Sequence, residues 1–203
     1  MKKYCVIGNP IDHSLSPKLH NFWLKKNKLN ALYEKKLLDE EGVKDIIKDV
    51  KNNLIEGLNV TVPYKKLVIE SLDDLTPEAE RTQSVNTIYK KDKKIVGHNT
   101  DIAGFELAIR YAKYDVTNKK VLIVGAGGVT PSIIYALLKM NCNEIFVMNR
   151  TKEKAEEIRK IFNQIQVKNW GEKVNFDLVI NTTSIGLKND NLNLDLNVTN
   201  KMF

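Results

Sequence analysis

One segment in the second half of the chain limits the possible fold more than any other. The apolar run Val121–Val124 has the length of a buried strand, and Gly125-Ala126-Gly127-Gly128 follows it directly before a helical pattern begins at Val129. A buried strand, a glycine turn and a helix in this order predict a Rossmann-type dinucleotide site. Gly125 would permit the tight turn, Gly127 would let the backbone approach a pyrophosphate, and the helix N-terminus would supply N–H donors. A purely structural glycine turn is the alternative.

The end of the next strand indicates which dinucleotide is bound. NAD-binding domains place an acidic side chain about 20 residues past the glycine turn, whereas the 2′-phosphate of NADP needs positive charge there. Here the strand ends in Asn149-Arg150-Thr151, with Lys154 close behind and no carboxylate at the tip. The guanidinium of Arg150 can bind a phosphate through two hydrogen bonds, and Lys154 adds charge. The sequence therefore predicts NADP(H), and Thr151 is also expected to cap the following helix.

The whole chain has the pattern of an α/β protein with two units. Short strands alternate with helical stretches from Lys3 to Val62, and such alternation predicts a parallel sheet. We expect a substrate-binding and catalytic domain over residues 1–101, a connecting helix over 102–114, and a doubly wound NADP-binding domain over 115–203. In the helix that Ser16-Pro17 opens, apolar spacing predicts four inward-facing side chains. They are Leu19, Phe22, Trp23 and Leu29.

Composition excludes several other classes of protein. The apolar runs have only strand length, which argues against a membrane span, and no signal peptide is recognisable, so a cytoplasmic location is expected. Cys5 and Cys142 have no CxxC spacing and no His nearby, so we predict two buried thiols and no metal site. The net charge of +7 comes from scattered lysines with few arginines, which favours a solvated surface over a nucleic-acid interface.

Polar residues in the first half form a second set of candidates. Ser14-Leu15-Ser16-Pro17 places two hydroxyls beside a helix N-terminus, where a carboxylate could bind, although Ser16 could simply be the N-cap. Asn59 and Thr61 are expected on one face of a strand, with Lys65 in the first turn of the next helix. A lysine there is unfavourable for the helix dipole, which hints at function.

A predicted hairpin adds two more candidates. The segment from Asn86 to Asn99 has the pattern of two strands that turn at Lys91-Asp92-Lys93, and Asp101 follows directly. The two outer ends of a hairpin are neighbours, so the Asn86 amide and the Asp101 carboxylate are expected close together. Asp101 as a plain acidic residue at a helix start is the alternative.

Taken in order, these segments resemble the motifs of shikimate dehydrogenase from Lys3 to Phe203. The matching segments are Gly8-Asn9-Pro10, Ser14-x-Ser16-Pro17, Asn59-Val60-Thr61-Val62-Pro63-x-Lys65, Val85-Asn86-Thr87, Gly97-x-Asn99-Thr100-Asp101, Gly125-Ala126-Gly127-Gly128, Asn149-Arg150-Thr151 and Asn181-Thr182-Thr183-Ser184-x-Gly186. The resemblance implies reversible, NADPH-dependent reduction of 3-dehydroshikimate to shikimate, in the pathway to chorismate and the aromatic amino acids.

The resemblance also implies a function for each site residue. Ser14 and Ser16 would bind the substrate carboxylate. Thr61, Asn86 and Asp101 would bind the ring hydroxyls, with Asn59 in the same set, and Lys65 with Asp101 would be the catalytic pair. The implied cofactor residues are Gly125, Ala126, Gly127, Gly128, Val129, Asn149, Arg150, Thr151, Lys154, Thr183 and Ser184.

The sequence departs from the family at two places. Val129-Thr130-Pro131 puts a proline after the glycine turn, at a cost expected to be small because a first helical turn tolerates proline. Family members also continue past the end of this sequence, through a strand with a substrate-binding Tyr, a Gly beside the nicotinamide and a helix with a Gln. We count four strands where six are usual. We therefore expect a fragment of a longer enzyme, or completion by another chain.

Two other functions remain open at this stage. One is a quinate/shikimate dehydrogenase with a broader substrate range or use of NAD. The other is a non-catalytic module that retains the carboxylate pocket. The sequence also leaves a homodimer open as the oligomeric state.

Overall fold

The computed structural model describes residues 1–186. By the density of contacts the chain divides into two compact units, Met1–Thr100 and the segment from Asp101 onward. The helix that begins at Asp101 thus belongs to the second unit, whereas the sequence treats it as a connector between domains. The assignment of substrate binding and catalysis to the first domain and of NADP binding to the second stays a prediction.

The first unit is a six-stranded sheet with helices. Its elements are β1 (Lys2–Gly8), α1 (Ser16–Lys26), β2 (Ala31–Leu37), α2 (Glu40–Lys51), β3 (Gly57–Val60), a 3-10 helix (Leu67–Ser71), β4 (Asp74–Leu75), α3 (Pro77–Thr82), β5 (Thr87–Lys91) and β6 (Lys94–His98). The strand order is β2-β1-β3-β5-β6-β4. β1 pairs in parallel with both β2 and β3, as the alternation of strands and helices predicts. β5 runs antiparallel to both β3 and β6, so the whole sheet is mixed. The predicted hairpin causes this reversal, and Asp92 in its turn has a left-handed φ of 57°.

The helix α2 packs against one face of this sheet. Its buried residues Val43, Ile46, Ile47 and Val50 follow helical spacing and form one apolar stripe. The stripe packs in one cluster with Cys5 and Ile7 of β1 and with Leu58 and Val60 of β3. At the start of the helix the Asp39 carboxylate accepts a hydrogen bond from the backbone N–H of Gly42.

The helix α1 contradicts the predicted inward positions. Leu19, Phe22, Trp23 and Leu29 are each about half exposed or more, and no residue of α1 is buried. Its contact with the sheet is both polar and apolar: the Asn21 side chain bonds both the backbone N–H and the backbone O of Tyr33 on β2, and Leu24 packs against the cluster of Val6, Ile11 and Tyr33. The prediction is wrong for these four residues, because the side chains that contact the sheet include those of Asn21 and Leu24, with the His20 ring stacked on Tyr33.

The second unit is a four-stranded parallel sheet with helices. Its elements are α4 (Asp101–Tyr111), β7 (Lys120–Val124), α5 (Thr130–Lys139), β8 (Glu144–Met148), α6 (Lys152–Ile161), β9 (Gln166–Lys168) and β10 (Leu178–Asn181). The strand order β10-β7-β8-β9 is that of a doubly wound dinucleotide-binding domain, with β7 in the interior. The predicted α/β fold is confirmed. The strand expected at Lys201-Met202-Phe203 lies outside the described residues.

The two cysteines are buried, one in each unit. Cys5 lies on β1 and Cys142 follows α5, and neither forms a disulfide. Burial raises the pKa of each thiol to about 11. Within residues 1–186, no helix combines the length and the apolar character that crossing a membrane would need.

Candidate active site

Backbone hydrogen bonds bring three predicted substrate and catalytic residues to one edge of the first sheet. The N–H of Thr61, one residue past β3, donates to the carbonyl of Ile7 on β1 at 2.9 Å. The carbonyl of Lys65 accepts from Val85, and the carbonyl of Asn86 accepts from Val60, at 2.8 and 2.9 Å. The segments that carry Thr61, Lys65 and Asn86 are therefore fastened together where β1 and β3 end.

Lys65 lies in the turns that lead into the 3-10 helix. The residues between β3 and the 3-10 helix form successive turns, so Lys65 lies two residues before Leu67, where that helix begins. One turn encloses Lys65, closed by the hydrogen bond from the Val68 N–H to the Tyr64 carbonyl at 3.1 Å, so Lys65 lies at the start of a short helical segment, close to its predicted position. The side chain is partly buried and makes interactions of its own.

The hairpin holds the Asn86 side chain in a defined orientation. Asn86 Oδ1 accepts hydrogen bonds from the backbone N–H of Thr100 at 2.9 Å, from the Thr100 hydroxyl at 3.1 Å and from the Thr87 hydroxyl at 3.0 Å. Asn86 Nδ2 donates to Thr100 Oγ1 at 2.9 Å. The outer ends of the hairpin are thus joined as predicted. Asp101 is the next residue along the chain and begins α4.

The Asn59 side chain bonds to other protein groups through both of its polar atoms. Its Oδ1 accepts from the Tyr33 hydroxyl at 2.6 Å, and its Nδ2 donates to the backbone O of Asn86 at 3.2 Å and to Thr87 Oγ1 at 3.1 Å. Sequence reasoning missed Tyr33 and gave Thr87 no function. Thr87 stood inside a recognised motif, whereas Tyr33 sits in a strand 26 residues away and carried no local signal.

The sheet face around Tyr33 is open. A cavity of about 560 Å³ is lined by residues of α1, β2, β3 and β5, among them His20, Tyr33, Asn59 and Thr87. The His20 ring stacks on Tyr33 with centroids 4.2 Å apart. Burial lowers the pKa of His20 and raises that of Tyr33. The Tyr33 hydroxyl therefore keeps its proton and acts as a hydrogen-bond donor.

Ser14 and Ser16 lie at the start of α1, as predicted. The helix begins at Ser16 with Pro17 in its first turn, and its N-cap is Leu15, which makes no side-chain capping bond. The alternative in which Ser16 is the N-cap is therefore wrong, because Leu15 occupies that position and already has a helical backbone. Instead the Ser14 hydroxyl accepts from the Ser16 N–H at 3.3 Å, and both side chains are partly buried.

In the second unit, the glycine turn has the geometry that a dinucleotide needs. Gly125 has a φ of +119°, and a Cβ there would lie 2.5 Å from Thr182 Oγ1. Gly127 and Gly128 are exposed, and among residues 1–186 the only close neighbour of a Cβ at Gly127 would be the Thr182 carbonyl oxygen at 3.7 Å. The backbone at Gly127 is thus open to a phosphate, beside the N-terminus of α5.

Thr130 and Pro131 fit the glycine turn without strain. The Thr130 hydroxyl is buried, bonds the Thr182 hydroxyl at 2.9 Å and donates to the Gly125 carbonyl at 3.3 Å. Pro131 occupies the first turn of α5, where its missing N–H costs little, as predicted. A threonine where a small residue is usual therefore ties the turn to the segment after β10. Ala126 and Val129 belong to the same turn, Val129 as the N-cap of α5.

The end of β8 exposes positive charge. Asn149 Nδ2 donates to the Thr151 carbonyl at 2.7 Å and so shapes the loop. Arg150, Thr151 and Lys154 are exposed, and no carboxylate among residues 1–186 forms an ion pair with Arg150 or Lys154. Thr151 occupies the N-cap position of α6, but the expected side-chain capping bond is absent. These residues, together with the glycine turn, fit a phosphorylated dinucleotide.

The segment after β10 is organised by one amide. Asn181 Oδ1 accepts from the backbone N–H of Thr183 at 2.9 Å and from its hydroxyl at 2.7 Å, while Nδ2 donates to the Ile185 carbonyl at 3.0 Å. The Thr182 N–H bonds the Val124 carbonyl at 2.8 Å, so the segment lies beside the glycine turn. That Thr183 and Ser184 contact the cofactor stays a prediction. In the described part of the chain, no cluster of three or more His, Cys, Asp or Glu could hold a metal.

Comparisons with known proteins agree with both halves of this description. Residues 6–88 match the family described as shikimate dehydrogenase substrate binding domain, and residues 106–186 match shikimate / quinate 5-dehydrogenase. The shikimate dehydrogenase (NADP(+)) of Pelagibacter ubique is 55% identical over 195 residues, which cover 96% of this chain and 74% of that protein.

Solved structures give the same result. Shikimate dehydrogenase from Aquifex aeolicus has a TM-score of 0.87 at 37% identity, covering 94% of this chain and 71% of that one. Shikimate 5-dehydrogenase from Thermus thermophilus, solved in complex with NADP(H) and shikimate, has a TM-score of 0.83 at 31% identity, with coverage of 92% and 70%. The chain spans about three quarters of the length of the Pelagibacter relative. With its two-unit α/β fold, its glycine turn and its substrate motifs, this chain belongs to the shikimate dehydrogenase family.

Proposed function

We propose that this protein catalyses the reversible reduction of 3-dehydroshikimate to shikimate with NADPH. The observation that carries the proposal is the joining of Thr61, Lys65 and Asn86 at one edge of the first sheet by backbone hydrogen bonds. This edge offers a hydroxyl, an ammonium and an amide, which suit a substrate with several hydroxyl groups and a ketone. The membership of the family and the exposed charge after β8 support the same reaction.

The substrate residues fall into two groups by chemistry. Ser14 and Ser16 bind the carboxylate, because two hydroxyls at a helix start can donate to an anion. Thr61, Asn86 and Asp101 bind the ring hydroxyls. An amide and a carboxylate discriminate well between sugar-like rings, since a missing hydroxyl would leave a buried polar group unpaired.

The chemical step needs a hydride and a proton on the same carbonyl. The cofactor, when bound, supplies the hydride to the carbonyl carbon. The Lys65 ammonium donates its proton to the carbonyl oxygen as negative charge develops there, so that an alcohol forms. Asp101 holds and orients Lys65 electrostatically, and the neutral amine then recovers a proton from solvent. In the reverse direction Lys65 acts as the base.

The cofactor residues are assigned by position around the glycine turn. Gly125, Ala126, Gly127, Gly128 and Val129 cradle the pyrophosphate at the start of α5. A second set binds the adenosine 2′-phosphate and the nicotinamide side. It comprises Asn149, Arg150, Thr151, Lys154, Thr183 and Ser184.

The test is an absorbance assay of NADP⁺ reduction by the purified chain with shikimate. Quinate and NAD⁺ replace shikimate and NADP⁺ in parallel reactions, and circular dichroism verifies folding. We expect turnover with shikimate and NADP⁺. Comparable rates with quinate or NAD⁺ would favour a quinate/shikimate dehydrogenase. A folded chain that binds shikimate without turnover would be a ligand-binding module, and the proposed reaction would be wrong.

Location and assembly belong to the same proposal. A reducing cytoplasm suits two buried free thiols, since a secreted protein of this size more often pairs its cysteines. A homodimer stays a prediction. It is supported by the apolar side chains of Leu19, Phe22 and Trp23, which are exposed on α1. Light scattering on the purified chain measures the mass in solution and so tests whether the protein is a homodimer.

A further inference from the structure

We infer that Asn59 and Thr87 are positioning residues that fix the orientation of the Asn86 side-chain amide, and that Asn59 does this in place of contacting the substrate. The inference rests on the proposed function of Asn86 as a ligand of a substrate hydroxyl. The resemblance placed Asn59 among the substrate ligands, but its polar atoms are used inside the protein.

The orientation of the Asn86 amide follows from one fixed donor. A backbone N–H can only donate, so the Asn86 atom that faces the Thr100 N–H at 2.9 Å must be the amide oxygen. The Thr100 hydroxyl both donates to this oxygen and accepts from Nδ2, which agrees with the same orientation. The Thr87 hydroxyl is the third donor to the oxygen, at 3.0 Å.

The orientation of Asn59 is fixed by the opposite argument. A backbone carbonyl can only accept, so the Asn59 atom that faces the Asn86 carbonyl at 3.2 Å must be Nδ2. Its Oδ1 therefore faces the Tyr33 hydroxyl, which donates at 2.6 Å. Nδ2 also donates to Thr87 Oγ1 at 3.1 Å.

These two fixed ends determine what the Thr87 hydroxyl does. Because Oγ1 accepts from Asn59, its single hydrogen is directed to the other neighbour, Asn86 Oδ1. A series of hydrogen bonds, each donated to the next residue, thus runs from the Tyr33 hydroxyl through Asn59 and Thr87 to Asn86. A pre-set amide loses less free energy on binding than one that must first be ordered. The series therefore favours substrate binding without touching the substrate.

The first test compares two substitutions at the same atom. Thr87→Val keeps the shape of the side chain and removes the hydroxyl, whereas Thr87→Ser keeps the hydroxyl. We expect Thr87→Val to raise the KM for shikimate about threefold to tenfold, the amount that one hydrogen bond is worth. The KM for NADP⁺ should stay within about twofold. Thr87→Ser should restore the KM for shikimate towards the wild-type value.

A second substitution tests the direction of the series. Asn59→Asp keeps the size of the side chain but replaces the N–H donor by an acceptor, so the Thr87 hydroxyl would turn to the carboxylate and away from Asn86. We expect its effect on the shikimate KM to be at least that of Thr87→Val. Ile46→Val is the control for loss of stability alone, since Ile46 is buried on α2 in the cluster that contains Cys5 and Ile7 of β1. It should change neither KM.

A measurement without substrate keeps the inference separate from the proposed reaction. In ¹⁵N-labelled protein the Asn86 side-chain amide, assigned by Asn86→Asp, should exchange with solvent faster in Thr87→Val and in Asn59→Asp than in wild type and Thr87→Ser. Unchanged exchange in both variants, or a KM shift shared by Thr87→Ser or by Ile46→Val, would overturn the inference. A wild-type chain that neither binds nor converts shikimate would instead contradict the proposed function, and the exchange rates would still decide whether Asn86 is held.

Discussion

The predicted substrate residues and the predicted cofactor residues are built in opposite ways. On the substrate side, Asn59, Asn86 and Thr87 hold one another through side-chain hydrogen bonds, and Asn86 is only 9% exposed. On the cofactor side, the glycine turn presents backbone, and Arg150 and Lys154 extend into solvent without ion-pair partners among residues 1–186.

This difference predicts which kinds of substitution each unit tolerates. A site made of interlocked side chains should be sensitive to substitutions that keep shape and alter a single hydrogen bond. A site made of an open turn and long cationic side chains should be sensitive to an added Cβ or to a lost charge. Four measurements test this contrast, taken in order of expected effect.

The largest effect is expected at Lys65. Replacing it by Met removes the proposed proton donor, and the loss of general acid–base catalysis lowers kcat by about 10²- to 10⁴-fold. KM for shikimate should change less, because the contact strengthens in the transition state. Steady-state kinetics in both directions measures the two constants.

Lys66→Met is the matched control. Lys66 is the next residue, is exposed and carries the same charge. It should leave kcat near the wild-type value. Equal losses in both variants would mean that net charge at the edge of the sheet matters and that Lys65 has no specific function.

The second prediction distinguishes two residues of the glycine turn by the effect of their substitution on stability. Gly125→Ala places a side chain at a φ of +119°, with its Cβ 2.5 Å from Thr182 Oγ1. The backbone strain alone costs about 1–3 kcal/mol of stability. In the described part of the chain, the new Cβ of Gly127→Ala meets only the Thr182 carbonyl oxygen at 3.7 Å, so its melting temperature should stay close to that of wild type.

For NADP⁺ affinity the expected order of these two variants is the reverse of their order in stability, with the larger loss in Gly127→Ala. The Cβ of Gly127→Ala would occupy the space where the backbone approaches the pyrophosphate, so NADP⁺ affinity should fall in a fully folded protein. Calorimetric titration beside thermal melting measures both properties. Normal NADP⁺ affinity in Gly127→Ala would show that the turn is structural only.

The third effect concerns the choice of dinucleotide. Arg150→Ala removes a charge-assisted contact worth about 1.5–3 kcal/mol, so the affinity for NADPH should fall by about 10- to 100-fold. The affinity for NADH should hardly change, because NADH lacks the 2′-phosphate. Fluorescence titration with both dinucleotides gives the ratio.

Arg159→Ala is the charge-matched control, since it removes one arginine from the same unit. Arg159 lies in α6 and forms an ion pair with Glu156 at 2.8 Å. Its loss should alter neither affinity. A parallel loss for NADPH and NADH in Arg150→Ala would place Arg150 on the adenine and not on the phosphate.

The features that the sequence predicted correctly depend on residues that are close together in the chain. The glycine turn and β7 were predictable because each depends on residues close in sequence. The hairpin that joins Asn86 to Thr100 was predictable for the same reason.

Longer-range features were not predictable in this way. The bond from Tyr33 to Asn59 joins β2 to β3 across 26 residues, and no local pattern selects that pair. The exposed apolar residues of α1 were missed because helix docking is decided by partners elsewhere in the chain. Sequence thus proposed the site residues, whereas the structure adds the hydrogen bonds between them.

The smallest effect uses a feature that the two units share, a buried thiol. Burial raises the pKa of Cys5 from 9.0 to about 11, so between these values the native protein keeps a proton that the unfolded chain has lost. Stability should therefore fall as pH rises through this window, by up to about 1.4 kcal/mol per pH unit for each thiol. Urea unfolding at several pH values measures the slope, which Cys5→Ala should reduce.

Cys142→Ala carries the same test into the second unit, because burial raises the pKa of Cys142 to about 11 as well. If the units unfold together, each substitution removes part of one common slope. If they unfold separately, each removes the slope of its own transition only, and shikimate and NADP⁺ should then shift different transitions. Native thiols that react quickly with a disulfide reagent would contradict the burial of both. Separate transitions would mean that the interlocked substrate side and the open cofactor side also differ in stability, so the contrast between the sites would extend to the units that carry them.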